Sequence, residues 1–103
     1  ELIEQSKQLE SAGCFALVLE MVPATLAATI TAQLTIPTIG IGAGNQTDGQ
    51  ILVWQDFAGL STGSRKFVKQ YASVRADLSA AAKAYRADVQ SASFPSKEHS
   101  FED

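Results

Sequence analysis

FALVLEMVP, residues Phe15 to Pro23, decides how this chain is read. Five apolar residues run together and end on a carboxylate, Glu20, between Gly13 and Pro23. Such a run predicts a strand buried on both faces, as in parallel sheets, here spanning Phe15 to Met21. An ionised carboxylate is costly to bury without a partner, so packing alone does not account for Glu20. In parallel α/β proteins the carboxyl ends of the strands are where ligands bind and chemistry occurs. Glu20 is therefore the first candidate for a catalytic group.

Outward from this strand, helix and strand alternate. A helical pattern from Leu2 to Ala12 stops at Gly13. Pro23 suits the first turn of a helix through ATLAATITAQ, with Leu26 and Ile30 on its buried face. TIGIG from Thr38 forms a second strand. The loop AGNQTDGQ is rich in turn residues, and a third strand, ILVW, runs from Ile51 towards Asp56. A long helix occupies much of Phe67 to Gln90, with Val74, Leu78, Ala82, Tyr85 and Val89 as its apolar stripe. Residues 91–103 have no period and read as an extended arm.

This order implies an α/β fold with parallel pairing. Three strands buried on both sides need a barrel interior, and three strands cannot close a barrel. The expectation is part of a (β/α)8 TIM barrel, with residues 1–103 one piece of a single barrel domain and its other strands elsewhere. The chain starts inside a helical pattern with no initiator methionine, which reads as a fragment of a longer polypeptide.

Composition narrows the function classes. The 103 residues are 46% hydrophobic and 18% charged, enough apolar content for a core. A net charge of −3 gives no footprint for nucleic acid or anionic lipid. No apolar run approaches the ~20 residues of a membrane span, and the first residues do not form a signal peptide. The single cysteine, Cys14, excludes an internal disulfide and fits a reducing cytoplasm. A soluble, cytoplasmic protein is expected.

Alternation along the first strand puts Ala16, Val18 and Glu20 on one face and Phe15, Leu17 and Leu19 on the other. The small-then-charged face suits a barrel interior leading to a pocket. Glu20 at a pocket mouth and Glu20 capping the helix after Pro23 are equally weighted readings. GIGAG, Gly40 to Gly44, lacks the sixth-place glycine of a dinucleotide fingerprint, where Asn45 stands, so close backbone approach is favoured over nucleotide binding. Ile41 shares a face with Ile39 and lines either an apolar pocket or plain core. Val53 alternates with Leu52 and Trp54. Asp56 is best read as a structural acceptor. Trp54 reads as packing bulk, Cys14 as an inert thiol and His99 as a lone side chain without metal partners. Arg65, Lys66 and Lys69 read as a solvated helix face.

AGCFALVLEMVP, IPTIGIGAGNQTDGQILVWQD, KFVKQYA and SFPSKEHSF, in that order, resemble the motifs of the ketopantoate hydroxymethyltransferase (3-methyl-2-oxobutanoate hydroxymethyltransferase) family. The resemblance covers nearly the whole chain and implies the C-terminal portion of a (β/α)8 barrel enzyme of pantothenate synthesis, with this chain supplying roughly the last three strands. It further implies transfer of a one-carbon unit from 5,10-methylenetetrahydrofolate to 3-methyl-2-oxobutanoate, with Mg2+ holding the oxo acid. The family's catalytic glutamate falls on Glu20, and Ile41 and Val53 match positions lining the apolar end of the oxo acid. A carboxylate in an apolar barrel mouth is a stronger base than one in water, which suits proton abstraction. The family's magnesium-binding carboxylates, and its serine and lysine that grip the oxo acid, match nothing in these residues, so the remainder of the barrel is an expected partner, along with further copies in a homo-oligomer. Two other readings compete: a barrel like phosphoenolpyruvate mutase or isocitrate lyase, and a non-catalytic half-barrel acting only in assembly.

Overall fold

The computed structural model describes all residues, 1–103. The elements follow in the order α1 (Leu2–Ser11), β1 (Leu17–Glu20), α2 (Ala24–Gln33), β2 (Thr38–Ile41), β3 (Gly49–Gln50), α3 (Trp54–Phe57) and α4 (Val74–Gln90), with a 3-10 turn at Lys97–His99. The fold class is α/β, with a parallel three-stranded sheet in the order β1-β2-β3.

Local chemistry sets most boundaries. α1 ends where Gly13 takes a positive φ of 100°. The Gly13 amide donates to Glu10 O and the Cys14 amide to Leu9 O, the paired bonds of a Schellman stop. Pro23 stands one place earlier than expected, as the residue capping α2, with an extended backbone. β2 begins after Pro37 and ends where Gly42, at φ 66°, turns the chain away.

The register pairs Leu17 with Thr38, Val18 with Ile39, Leu19 with Gly40 and Glu20 with Ile41. Leu17, Leu19, Thr38 and Gly40 face the side carrying the core, where Leu19, Ala27, Ile30 and Ala43 are buried against Ile3, Val22, Leu26 and Leu34. Full burial of a side chain such as Ile30 contributes roughly 1.5–3 kcal/mol. The opposite side lies open, and Val18 is 59% exposed. The expectation that β1 is buried on both faces is therefore corrected. One face is covered by helices, while the other has no layer against it in this chain. Phe15, expected to be buried as the first residue of this strand, is 89% exposed because the strand starts only at Leu17.

Two further expectations change. The strand over Ile51–Asp56 is not formed: β3 is only Gly49–Gln50, and Trp54–Phe57 is a helical turn. β2 has already turned off at Gly42, so the ladder ends with the Ile51 amide donating to Gly40 O at 3.0 Å. The long helix, Val74–Gln90, occupies much of the expected Phe67–Gln90 stretch, and residues 60–73 run as an irregular strap. The tail folds back as a hook, with the Phe94 ring 5.6 Å from Tyr85 and 5.2 Å from His99.

The radius of gyration is 22.8 Å, with extents of 68 × 33 × 16 Å. A compact chain of about 100 residues has a radius near 13 Å. These dimensions describe an open slab with an arm, not a closed globule. No helix is long and apolar enough to cross a membrane.

Candidate functional site at the carboxyl ends of the strands

Glu20 is the last residue of β1, exposed, on the open face of the sheet. Its register partner is Ile41, the last residue of β2, so the two stand side by side. The carboxylate accepts no hydrogen bond within the chain, and it does not cap α2, which has no side-chain cap. Of the two roles weighed for Glu20, the cap is thereby excluded. Val53 is not brought into register with this pair. It lies beyond β3, half exposed, as the extended residue (φ −61°, ψ 126°) that precedes α3.

Immediately after Glu20 the backbone is strained. Met21 has φ 53°, uncommon for a side chain with a Cβ, while its amide donates to Ile41 O at 2.9 Å. Strain of this kind collects at working sites, where the surrounding structure holds it in place. Met21 opens a groove of about 590 Å³ lined by Met21–Ala24, Gly42–Gly44, Gln50, Lys66 and Phe67. Its walls are held by two close approaches. A Cβ on Gly42 would stand 3.0 Å from the Phe67 ring, and one on Gly44 would stand 2.5 Å from the Ala24 methyl. The glycines thus serve the chain's own packing, and β3, not a helix, follows them. Gln50 secures the loop, its amide Nε2 donating to Gly44 O at 2.7 Å and to Thr47 Oγ1 at 2.9 Å.

The amino ends of the strands carry the acceptor that sequence reasoning put elsewhere. Asp48 Oδ2 takes the Thr38 amide at 2.8 Å and the Thr38 hydroxyl at 3.2 Å, and Thr38 Oγ1 lies 2.7 Å from Thr31 Oγ1. Asp56, expected to be a structural acceptor, accepts no side-chain hydrogen bond. It lines a separate polar basin with Arg65 and Arg75. Asp48-Gly49 looks like an ordinary turn in sequence, and its pairing across ten residues left no local signal. Glu10 makes a similar latch. Its Oε1 accepts from the Thr35 amide (2.6 Å), the Thr35 hydroxyl (2.7 Å) and the Ile36 amide (3.0 Å). These bonds, the Thr35 hydroxyl first, hold the Glu10 carboxyl below its ordinary range. Lys66 and Lys69 lie on the strap, not on a helix, and Lys69 Nζ sits 5.0 Å from the centre of the Tyr71 ring.

A family model described as ketopantoate hydroxymethyltransferase matches residues 1–97. The chain belongs to the ketopantoate hydroxymethyltransferase family. It is 56% identical over 101 residues to a 3-methyl-2-oxobutanoate hydroxymethyltransferase of Arthrobacter sp. (strain FB24), covering 97% of this chain and 34% of that protein. Relatives of the same name from Thermobifida fusca (strain YX) and Corynebacterium glutamicum (strain ATCC 13032) are each 53% identical, over 97% and 98% of this chain and 36% and 38% of their own lengths. The chain thus spans about a third of the length of these relatives. The matches establish that share of a ketopantoate hydroxymethyltransferase; the C-terminal placement expected from the tail motif is not among the things they show.

Proposed function

We propose that this chain supplies the general base of a ketopantoate hydroxymethyltransferase, acting when the remainder of a (β/α)8 barrel is joined to it. The observation that carries the proposal is Glu20 at the carboxyl end of a parallel strand. It is free of hydrogen bonds and beside Ile41, in a chain whose named relatives are 3-methyl-2-oxobutanoate hydroxymethyltransferases. On this reading the open face of the sheet is the barrel interior, and the missing strands provide the apolar surround that strengthens Glu20 as a base.

The Glu20 carboxylate takes the C3 proton of 3-methyl-2-oxobutanoate, and the electron pair of that C–H bond forms the enolate. C3 then bonds to the methylene carbon of 5,10-methylenetetrahydrofolate as one of its two C–N bonds breaks, that nitrogen taking the proton removed from C3. Water displaces the second nitrogen, its hydroxyl staying on the carbon and its proton going to the nitrogen, which gives ketopantoate and tetrahydrofolate. Ile41 packs on the isopropyl end of the oxo acid. Val53 joins it only if completion of the barrel extends β3 past Gln50, which the continuing alternation through Ile51 would permit.

Magnesium would polarise the oxo acid and acidify C3. The residues present do not fit a complete magnesium site, since no three His, Cys, Asp or Glu side chains come together. Its ligands would come from beyond this chain. A cytoplasmic location and a homo-oligomer belong to the same proposal and are supported by family membership alone.

The test is Glu20→Gln in the completed protein. C3 proton exchange of 3-methyl-2-oxobutanoate should fall by orders of magnitude with little change in oxo-acid affinity. Near-normal exchange would remove Glu20 from the base role.

A further inference from the structure

The alternation that runs along β1 is reversed one residue after Glu20. Leu17 and Leu19 are buried on the covered side, and Val18 and Glu20 are exposed on the open side. Continued as a strand, the chain would turn Met21 into the core and set Val22 on the open face ahead of Glu20. The opposite is found. Met21 is 68% exposed, and Val22 packs against the core of Leu19, Ala27, Ile30 and Ala43. The positive φ of Met21, 53°, makes this exchange within a single residue. Its amide still donates to Ile41 O at 2.9 Å, so the break comes after the last rung of the ladder and not before it. Pro23 follows with its φ fixed at −51°, and its carbonyl accepts the Ala27 amide. The backbone bearing Glu20 is therefore held on both sides.

The left-handed conformation is uncommon for a residue with a Cβ, and an exposed side chain gains little packing in return. Building on the function proposed above, we propose that Met21 is a positioning residue for Glu20, acting through its left-handed backbone and not through its thioether. The turn makes Glu20 the last side chain of β1 on the open face, beside Ile41. It keeps Val22 out of the space ahead of the carboxylate, where the oxo acid has to approach. The peptide joining Glu20 to Met21 carries the last rung, so the bond that ends the sheet also sets where the carboxylate stands.

The experiment measures C3 proton exchange of 3-methyl-2-oxobutanoate against oxo-acid concentration in the completed enzyme carrying Met21→Asn, Met21→Gly or Met21→Val. Asn and Gly enter the left-handed region readily, whereas Val, branched at Cβ, does not. Met21→Val should lower kcat for exchange about tenfold with oxo-acid KM unchanged, as the fraction of enzyme holding Glu20 in place falls. Met21→Asn and Met21→Gly should stay within about threefold of the parent. In a Glu20→Gln background, Met21→Val should lower the residual exchange no further, because its effect passes through that carboxylate. Met21→Thr, smaller and also branched, takes over the test where Met21→Val does not fold. A turn serving folding alone would lower the yield of folded enzyme and leave kcat per folded molecule untouched, which overturns the proposal. A loss confined to KM overturns it too, as does a Met21→Asn enzyme that falls as far as Met21→Val. Near-normal exchange in Glu20→Gln would instead defeat the proposed function. Exchange lost in Glu20→Gln but kept in Met21→Val defeats the positioning role alone, so the two failures are separable.

Discussion

Helices α2 and α4 both carry apolar residues at helical spacing and meet different fates. α2 buries Ala27 and Ile30 against Leu19 of β1 and Ala43 of the glycine loop. α4 is longer, 17 residues against 10, yet buries no residue at all. Its stripe of Leu78, Tyr85 and Val89 stands about half exposed, and what anchors it lies at its two ends. At the start, the Val74 and Arg75 amides donate to Ala58 O and Gly59 O, and Arg75 Nε donates to Leu60 O. At the finish, Phe94 folds onto Tyr85. An isolated helix of this length is marginal in water, and tertiary packing supplies most helix stability. The contrast teaches that periodicity reports a face meant for burial, while the partner that buries it has to be found separately. For α2 the partner is in the chain; for α4 and for the open face of the sheet it is not.

Paired truncations sharpen this contrast. Ile30→Ala should cost about 2–5 kcal/mol, since it empties a site that is 1% exposed among packed neighbours. Leu78→Ala, measured on this chain alone by urea unfolding, should change stability by about 0.5 kcal/mol or less. Equal costs would break the comparison. A cost at Leu78 that grows in the completed protein would show the stripe being covered there.

A smaller effect should follow from Asp48→Ala. Thr38 is fully buried, and the substitution strips its amide of the 2.8 Å acceptor, an orphaned donor worth about 1–3 kcal/mol. Asp48→Asn, which keeps a carbonyl oxygen, should recover part of it. An Asp48→Ala protein as stable as the parent would show that the β2–β3 register does not depend on this side chain.

The least effect belongs to the Glu10 latch. Its carboxyl lies below the ordinary value of 4.5 in the folded chain, so the charged form is the one the fold stabilises. That contribution is present above the unfolded value and is lost as pH falls through the folded one. Protection of the Thr35 and Ile36 amides from hydrogen exchange should therefore weaken below about pH 4.5 in the parent and not in Glu10→Gln. The same acid dependence in both would exclude the latch.

Much of this was legible from residue order, for identifiable reasons. The strand ending at Glu20 sits between a glycine stop and a proline start, both of which act locally. The parallel order follows from alternation of elements. The third strand was misread because Ile51, Leu52, Val53 and Trp54 have strand chemistry, whereas pairing depends on a neighbour that Gly42 turns away. Burial on both faces of β1 was inferred from composition, and composition does not say which covering layer lies in the same chain. The Thr38–Asp48 and Glu10–Thr35 latches join residues 10 and 25 apart, which no local pattern announces.

Proton NMR of C3 deuterium exchange in 3-methyl-2-oxobutanoate, run on this chain alone and on the chain joined to the rest of the proposed barrel, tests the central claim most directly. No exchange above background is expected from the chain alone, and rapid exchange from the completed barrel. Exchange by the chain alone at the completed barrel's rate would contradict it, because the catalytic apparatus would then lie wholly within these residues.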